Sequence, residues 1–478
     1  LRLLAEWLIL KKIRNSAGGL SMYVKNLQQL SDQTVSQSCA HLRKAALLAY
    51  NSALECVEPA KLLKSMLSID DKILKIGESN IDIGAGKVYV VGAGKASGVM
   101  AGALEQLLGD RLTAGCVNIP HETDFSTRLI SLNRAGHPIP DDSGVAGCRR
   151  IIKLADAAES GDLVICLISG GGSSLLPLPA LGVSLADKQA VTSLLLKSGA
   201  SIGDINAVRK HLSGIKGGWL ARRIYPARPL NLILSDVIGD PLEVIASGPT
   251  VPDTTTFADA VAVLQRYDLW HEVPVTARER LSAGVAGLIE ETPKPGDVAF
   301  TETVTRVVGN NCLALDAAGK SLAAAGFKVE VVKEPWQGDA CQLGHNLAAR
   351  AVAAARSAFP VAVIMGGEAT VKVSGRGSGG RNQQAALAAV HDLAGYENLL
   401  VAVLATDGID GPTDACGAIV DGTTLVRAQK LDMKPETFLQ NNDSYSFFNA
   451  LGDLVHTGYT GSNVNDIYMI LSSGSTAR

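Results

Sequence analysis

Apolar residues along this chain fall into two alternating rhythms. A helical spacing runs from Asp32 to about Val57, with Leu42, Ala45, Ala46 and Ala49 on one face. The run KVYVV at 87–91 then reads as a buried strand, followed by the turn GAGK and a helical pattern to Leu108. Further strands are expected at 114–119 (AGCVNI), 162–169 (DLVICLIS) and 230–235 (LNLILS), with helical stretches at 185–198 and 204–223. PKPG at 293–296 breaks the pattern and reads as a linker. Beyond it come strands at 305–309, 327–332, 361–365, 371–373, 398–406 and 467–471, with helices at 311–325 and 338–358. Strand–helix alternation on both sides of the linker predicts two α/β units with mainly parallel sheets.

In such sheets ligands bind beyond the carboxyl ends of the strands. The unusual residues gather there: GAGK after 91, SGGGSS after 168, SDVIGD after 234, GGEAT after 365 and ATDGIDGPTD after 404. That loading of strand ends with Gly, Asp, Ser and Lys points to an enzyme rather than a structural protein.

Composition narrows the class. Apolar residues make up 47% and charged residues 19% of 478 residues, which fits a compact protein with ample core. A net charge of −3 argues against nucleic-acid or anionic-membrane partners. The eight cysteines form no Cys-x-x-Cys, and several lie in apolar segments, so a reducing compartment is expected. No apolar run reaches the ~20 residues of a membrane helix. The basic segment 1–30 is set aside as a leader or a boundary segment with no part in the fold, and the protein is expected in the cytoplasm, or in a mitochondrion if that segment is a transit peptide.

GAGKAS (92–97) matches neither a Walker A loop nor a dinucleotide fingerprint, because Ala96 follows Lys95 and Ser97 stands where a third glycine belongs. What remains is a tight turn opening a helix: Gly92 and Gly94 beside Lys95 suit an anion. In SGGGSS, Ser169, Gly170, Gly171, Gly172, Ser173 and Ser174 suit cradling of an anion or substrate. A serine nucleophile is the rival, without the Gly-x-Ser-x-Gly elbow. NAVRKHLSGIKGG (206–218) carries Arg209, Lys210 and Lys216, which alone would read as a solvated basic face. Asp236 ends a buried strand, with Asp240 and Glu243 behind it, where an acid can hold Mg²⁺, orient a hydroxyl or cap a helix. Glu368 and Asp407 are further metal candidates. SGRGSGGRNQQ (374–384) offers Arg376, Gly379, Gly380, Arg381 and Asn382 to a phosphate or carboxylate. Acids for Mg²⁺ beside cationic loops suit phosphoryl transfer.

Taken together, SGGGSSLLPLP, NAVRKHLSGIKGG, LILSDVIGDPLEVIASGPTVPD, GRGSGGRNQQ, ATDGIDGPTDACGAIVDG, NNDSYSFF and HTGYTGSNVND resemble the class II glycerate 2-kinases with their C-terminal MOFRL module. The likeness spans roughly residues 38–472 and looks nearest the animal-type branch. It implies two Rossmann-like α/β/α domains around an interdomain cleft, placed at 31–292 and 300–478. It also implies ATP- and Mg²⁺-dependent phosphorylation of D-glycerate at its 2-hydroxyl. The family's functional Lys, Asp and Arg correspond to Lys95, Asp236 and Arg381. Gln384, Tyr459 and Ser462 depart from the family's usual Glu, Pro and Thr. Hydroxypyruvate reduction and non-catalytic binding of an organic anion are the alternatives.

Overall fold

The computed structural model describes residues 22–32, 36–84, 86–123 and 125–474. The chain divides into two compact units. A central unit comprises Val57–Asn311 with Gly461–Asn465; a terminal unit takes in the chain up to Cys56, Cys312–Thr460 and the chain from Asp466.

The central unit is built on a six-stranded sheet, all parallel, in the order Ile130–Ala135, Leu112–Pro120, Val88–Ala93, Leu163–Ser169, Arg228–Leu234, Val304–Gly309. The direction of winding reverses between Val88–Ala93 and Leu163–Ser169. Every residue of those two strands is buried, as their unbroken apolar sequences require. Cys148 and Ile151 of helix Asp142–Asp156, with Leu220 and Ile224 of helix Trp219–Ile224, pack against Val91, Val164 and Cys166 on one face. A second core joins helices Leu185–Lys197, Ile202–His211, Phe257–Arg266 and Val275–Val285 around Leu195, Val208, Phe257 and Leu281. A small antiparallel sheet, Leu67–Asp70, Ile73–Ile76 and Ser79–Asp82, precedes the main one.

The terminal unit differs from expectation. Its seven-stranded sheet is mixed. Lys328–Val331 and Trp336–Asp339 run parallel to Val361–Thr370, but Asp466–Ser472 pairs antiparallel with both Val361–Thr370 and Leu399–Ala405. GGEAT is not a strand-end loop either, because Val361–Thr370 runs through it, and 371–373 forms no strand.

The division between units also falls elsewhere than the PKPG turn. Pro293 accepts the Asp253 amide at 2.9 Å inside the central unit, and Val304–Gly309 is that unit's sixth strand rather than the start of a new sheet. Conversely, helix Gln37–Cys56 belongs to the terminal unit. So do residues from 22 to 30, which had been set aside: Val24 and Leu30 are buried, and the Tyr23 amide donates to Asn51 Oδ1 at 2.7 Å. The first 21 residues lie outside the described chain.

One buried charge pins that helix in place. Arg43, fully buried, donates through Nε to Asp421 at 2.8 Å and through Nη1 to Asp453 at 2.7 Å, and Arg427 adds a second cation on Asp453. Removing one member of a buried network strands the others without a partner. Arg43→Leu is therefore expected to destabilise the terminal unit by about 3–5 kcal/mol, read from chemical denaturation; a change under about 1 kcal/mol would show that the carboxylates find other partners.

Candidate functional site

The two strands at the reversal of the central sheet are where a doubly wound sheet opens a crevice. Their carboxyl ends carry GAGKAS and SGGGSS. Gly94 has φ +150°, and a Cβ there would stand 2.0 Å from Ser169 Oγ. The two turns are tied directly: the Lys95 amide donates to the Gly170 carbonyl at 2.8 Å, and the Ala96 amide donates to Ser169 Oγ at 3.1 Å. Ser97, in place of a third glycine, is buried with its hydroxyl 3.0 Å from Ser169 Oγ.

The third wall is the loop after Arg228–Leu234. A Cβ on Gly170 would lie 2.0 Å from Asp236 Oδ2, and one on Gly171 would lie 3.4 Å from Lys95 Cγ. The absence of side chains at 170 and 171 is what lets a carboxylate and an ammonium-bearing side chain flank one turn. Lys95, Gly170–Gly172 and Asp236 are thus brought together from three separate stretches of the sequence.

Two neighbours were not singled out from the sequence. His137 Nε2 lies 2.8 Å from the position of a Gly171 Cβ. Asn463 Nδ2 donates to Asp236 Oδ2 at 3.2 Å. Asn463 comes from Gly461–Asn465, a segment anchored in the central unit by Ser462 Oγ on the Val57 carbonyl (2.8 Å) and by the Val464 carbonyl on Asn311 (2.8 Å). The Gly/Thr/Asn-rich composition of 456–466 was visible as a turn; its destination was not.

Ser173 Oγ is 2.8 Å from Ser247 Oγ, not from a histidine, so the serine-nucleophile alternative has no base at that hydroxyl. Arg209, Lys210 and Lys216 do not form a solvated face. Lys210 pairs with buried Asp253 at 3.2 Å, Lys216 is 2% exposed, and Arg209 is half-buried.

The glycine-rich stretch 374–384 lies in the terminal unit, and most of its amides are already engaged. Those of Ser374 and Gly375 donate to Asn442 Oδ1, that of Arg376 to Asn441 Oδ1 and that of Ser378 to Asp443 Oδ1. At the start of helix Arg381–Ala388, the amides of Asn382 and Gln383 donate to Asp410, whose pKa burial raises to about 7. Much of this backbone is therefore spent within its own unit rather than open to an anion. Arg381 itself donates through Nε and Nη2 to Asp466 and through Nη1 to Glu368 at 2.6 Å, and Arg376 is exposed. An anion reaching Arg381 meets a guanidinium already held by two carboxylates.

Among the metal candidates, Asp236 and Asp240 share one loop, whereas Glu368 is committed to Arg381, and Asp407 Oδ1 accepts the Ile409 amide in its own turn. Among the described residues no three His, Cys, Asp or Glu side chains are grouped to hold a metal unaided. A nucleotide-borne Mg²⁺ takes only one or two protein carboxylates, a demand that the Asp236–Asp240 loop fits.

Comparison with known proteins decides the family. A domain of unknown function (DUF4147) matches residues 45–282, and the MOFRL family matches 361–466. A glycerate 2-kinase of Pyrococcus horikoshii is 38% identical over 443 residues, 91% of this chain and 99% of that protein. The chain belongs to the glycerate kinase family. The crystal structure of a Thermotoga maritima glycerate kinase superposes with a TM-score of 0.79 at 37% identity, covering 90% of this chain and 99% of that one. The human glycerate kinase is 34% identical over 492 residues, 90% of this chain and 93% of that protein, so these identities do not single out the animal branch. An Agrobacterium vitis relative, 41% identical over 392 residues (81% of this chain, 87% of that protein), carries the provisional name hydroxypyruvate reductase. No helix among the described residues is long and apolar enough to cross a membrane.

Burial pushes the pKa of Lys188 down to about 7 from the ordinary 10.5, helped by Arg209 and Arg280 and opposed by Cys148. Lys216 is driven down for the same reasons, with Lys188 as an added repulsion. Between about pH 7 and pH 10.5 the unfolded chain binds a proton that folded Lys188 does not, so its contribution to stability rises with pH across that window. Denaturation at pH 7 and pH 9 should therefore show a larger gain in the wild type than in Lys188→Met. Equal gains would mean that Lys188 stays charged in the folded protein.

Proposed function

We propose that the protein is a glycerate 2-kinase: it transfers the γ-phosphoryl group of ATP to the 2-hydroxyl of D-glycerate, releasing ADP and 2-phospho-D-glycerate. The observation that carries this reading is the convergence of Lys95, the Gly170–Gly172 turn and Asp236 at the reversal of the parallel sheet. Family membership supplies the substrates.

The 2-hydroxyl oxygen attacks the γ-phosphorus while the bond from that phosphorus to the β-bridging oxygen breaks. Asp236 stands where it can accept or direct the hydroxyl proton, and Asn463 holds one of its oxygens in orientation. Lys95 supplies positive charge to the phosphoryl group in transit, in a setting where preorganised charge is most of the catalysis. Asp236 or Asp240 would hold Mg²⁺, which would supply further positive charge to the nucleotide phosphates. Arg381 was expected at the substrate carboxylate, but two acids hold it in the terminal unit.

The name borne by the A. vitis relative keeps hydroxypyruvate reduction in view. Against it, Ser97 fills the third position of the turn, and the side-chain amide of Asn118, near the end of the next strand, is spent on the Gly144 and Leu175 carbonyls. Incubation with D-glycerate and Mg-ATP should give 2-phosphoglycerate and ADP by ³¹P NMR. Oxidation of NADH with hydroxypyruvate, with no ADP formed, would replace this reading by the other.

Two substitutions probe the mechanism. Lys95→Ala is expected to lower kcat by about 100-fold or more while KM changes little; full turnover would remove Lys95 from the chemistry. Gly170→Ala places a methyl where Asp236 Oδ2 now sits. A displacement of ~1 Å there should cost about 100-fold in kcat with the fold retained by circular dichroism, and unaltered kcat would show that the carboxylate's position is not critical.

A further inference from the structure

Four basic side chains of the central unit, on the elements packed beside the glycine turn and the segment leaving it, form no ion pair among the described residues: Lys188, Arg209, Lys216 and Arg280. Lys216 Nζ donates to the Ser173 carbonyl at 2.7 Å and reaches the Ala246 carbonyl at 3.5 Å. Lys188 Nζ donates to the carbonyls of Pro177 (3.0 Å) and Leu178 (3.1 Å), in the segment that leaves the same turn. Arg280 Nε donates to the His211 carbonyl at 2.8 Å. Arg209 makes no hydrogen bond or ion pair among the described residues, although burial already disfavours its charge. Acids are at hand nearby but are spent elsewhere: Asp253 on Lys210, and Glu291 on His211 at 2.8 Å.

A buried donor points the same way. Asn206 sits three residues before Arg209 on helix Ile202–His211, hence on the same face. It is 3% exposed, and its Oδ1 accepts from Ser247 Oγ at 3.0 Å, while its Nδ2 has no acceptor. The backbone that positions Ser247 is strained: Ala246 and Ser247 hold φ of +52° and +60° without being glycine. Crowded basic groups, an orphaned amide donor and a strained loop each cost stability, and no acid among the described residues is placed to offset them.

We propose that Arg209, Lys216 and the Asn206 amide form the receptor for the carboxylate of the acceptor acid, D-glycerate, with Lys188 supporting the field from behind. The assignment rests on the glycerate kinase reading above and names the part of the substrate that this side of the site holds. A guanidinium fork, an amide N–H and a lysine amine that an arriving anion would favour in its charged form match the two oxygens and four lone-pair directions of a carboxylate. The placement is suitable: Gly170 abuts Asp236 and Ser173 abuts Lys216, and three residues of chain span at most about 10 Å. One turn can therefore seat the carboxylate at one end and the reacting hydroxyl at the other.

The test uses the full-length protein. Arg209→Gln should raise KM for D-glycerate about thirtyfold or more, as for loss of one partner of a desolvated charge pair, and leave KM for ATP unchanged. Removing one of several repelling cations should not lower the stability of the ligand-free protein. Asn206→Asp supplies the missing carboxylate from within, so the ligand-free protein should become more stable while calorimetric binding of D-glycerate is lost. A merely structural role predicts the opposite, destabilisation in both variants with glycerate affinity kept in whatever remains folded. That result would overturn the proposal, as would a rise in KM for ATP instead of glycerate, which would assign the cluster to the nucleotide. If the wild type binds D-glycerate but makes no phosphoglycerate, the kinase reading fails and the receptor stands; if it makes phosphoglycerate and Arg209→Gln keeps its KM, only the receptor fails.

Discussion

The central unit depends on how closely two strand ends approach each other. Val88–Ala93 and Leu163–Ser169 are adjacent in the parallel sheet, and the chain leaves them in opposite directions around it. At that point the Lys95 amide is bonded to the Gly170 carbonyl, and the space a side chain would need at Gly94 or Gly170 is taken by Ser169 Oγ or Asp236 Oδ2. The glycines are therefore a steric requirement of the sheet before they are a property of the site. Because the backbone is that close, Lys95 and Asp236 converge from separate strand ends without any long side chain having to reach across.

The two units treat buried charge in contrasting ways. In the terminal unit every prominent cation is matched: Arg43 by Asp421 and Asp453, Arg427 by Asp453, Arg381 by Asp466 and Glu368. Such networks fix an arrangement more than they stabilise it, and breaking one member is what costs. In the central unit Lys188, Lys216, Arg209 and Arg280 are left with main-chain carbonyls or nothing. In the receptor proposed above the bound carboxylate would supply the missing counter-ion, and stability given up at such a place is the usual trade with function.

Much of the fold was legible because buried parallel strands are unbroken apolar runs. Val88–Ala93, Leu163–Ser169, Arg228–Leu234 and Leu399–Ala405 lie within two residues of where the pattern put them. Ile130–Ala135 was missed because ISLNRA alternates in burial and has no apolar run. Strand direction in the terminal unit could not be read, since a doubly buried strand looks the same whether its neighbours run with it or against it. The PKPG turn resembled a linker but is an internal turn of the central unit, and only the pairing of Val304–Gly309 with Arg228–Leu234 reveals it. Lys95, Asp236 and the glycines could be picked out because each stands at a strand end. Lys188, Asn206 and Asn463 could not. Their burial and partners depend on Leu185–Lys197, Val275–Val285 and Gly461–Asn465 folding against distant parts of the chain.

The most direct measurement is a crystal structure of the protein with D-glycerate and a non-hydrolysable ATP analogue. The account predicts the substrate carboxylate on Arg209 and Lys216, with its 2-oxygen within hydrogen-bond distance of Asp236. A glycerate bound through its carboxylate to Arg381 in place of Glu368, with Arg209 left unliganded, would contradict it.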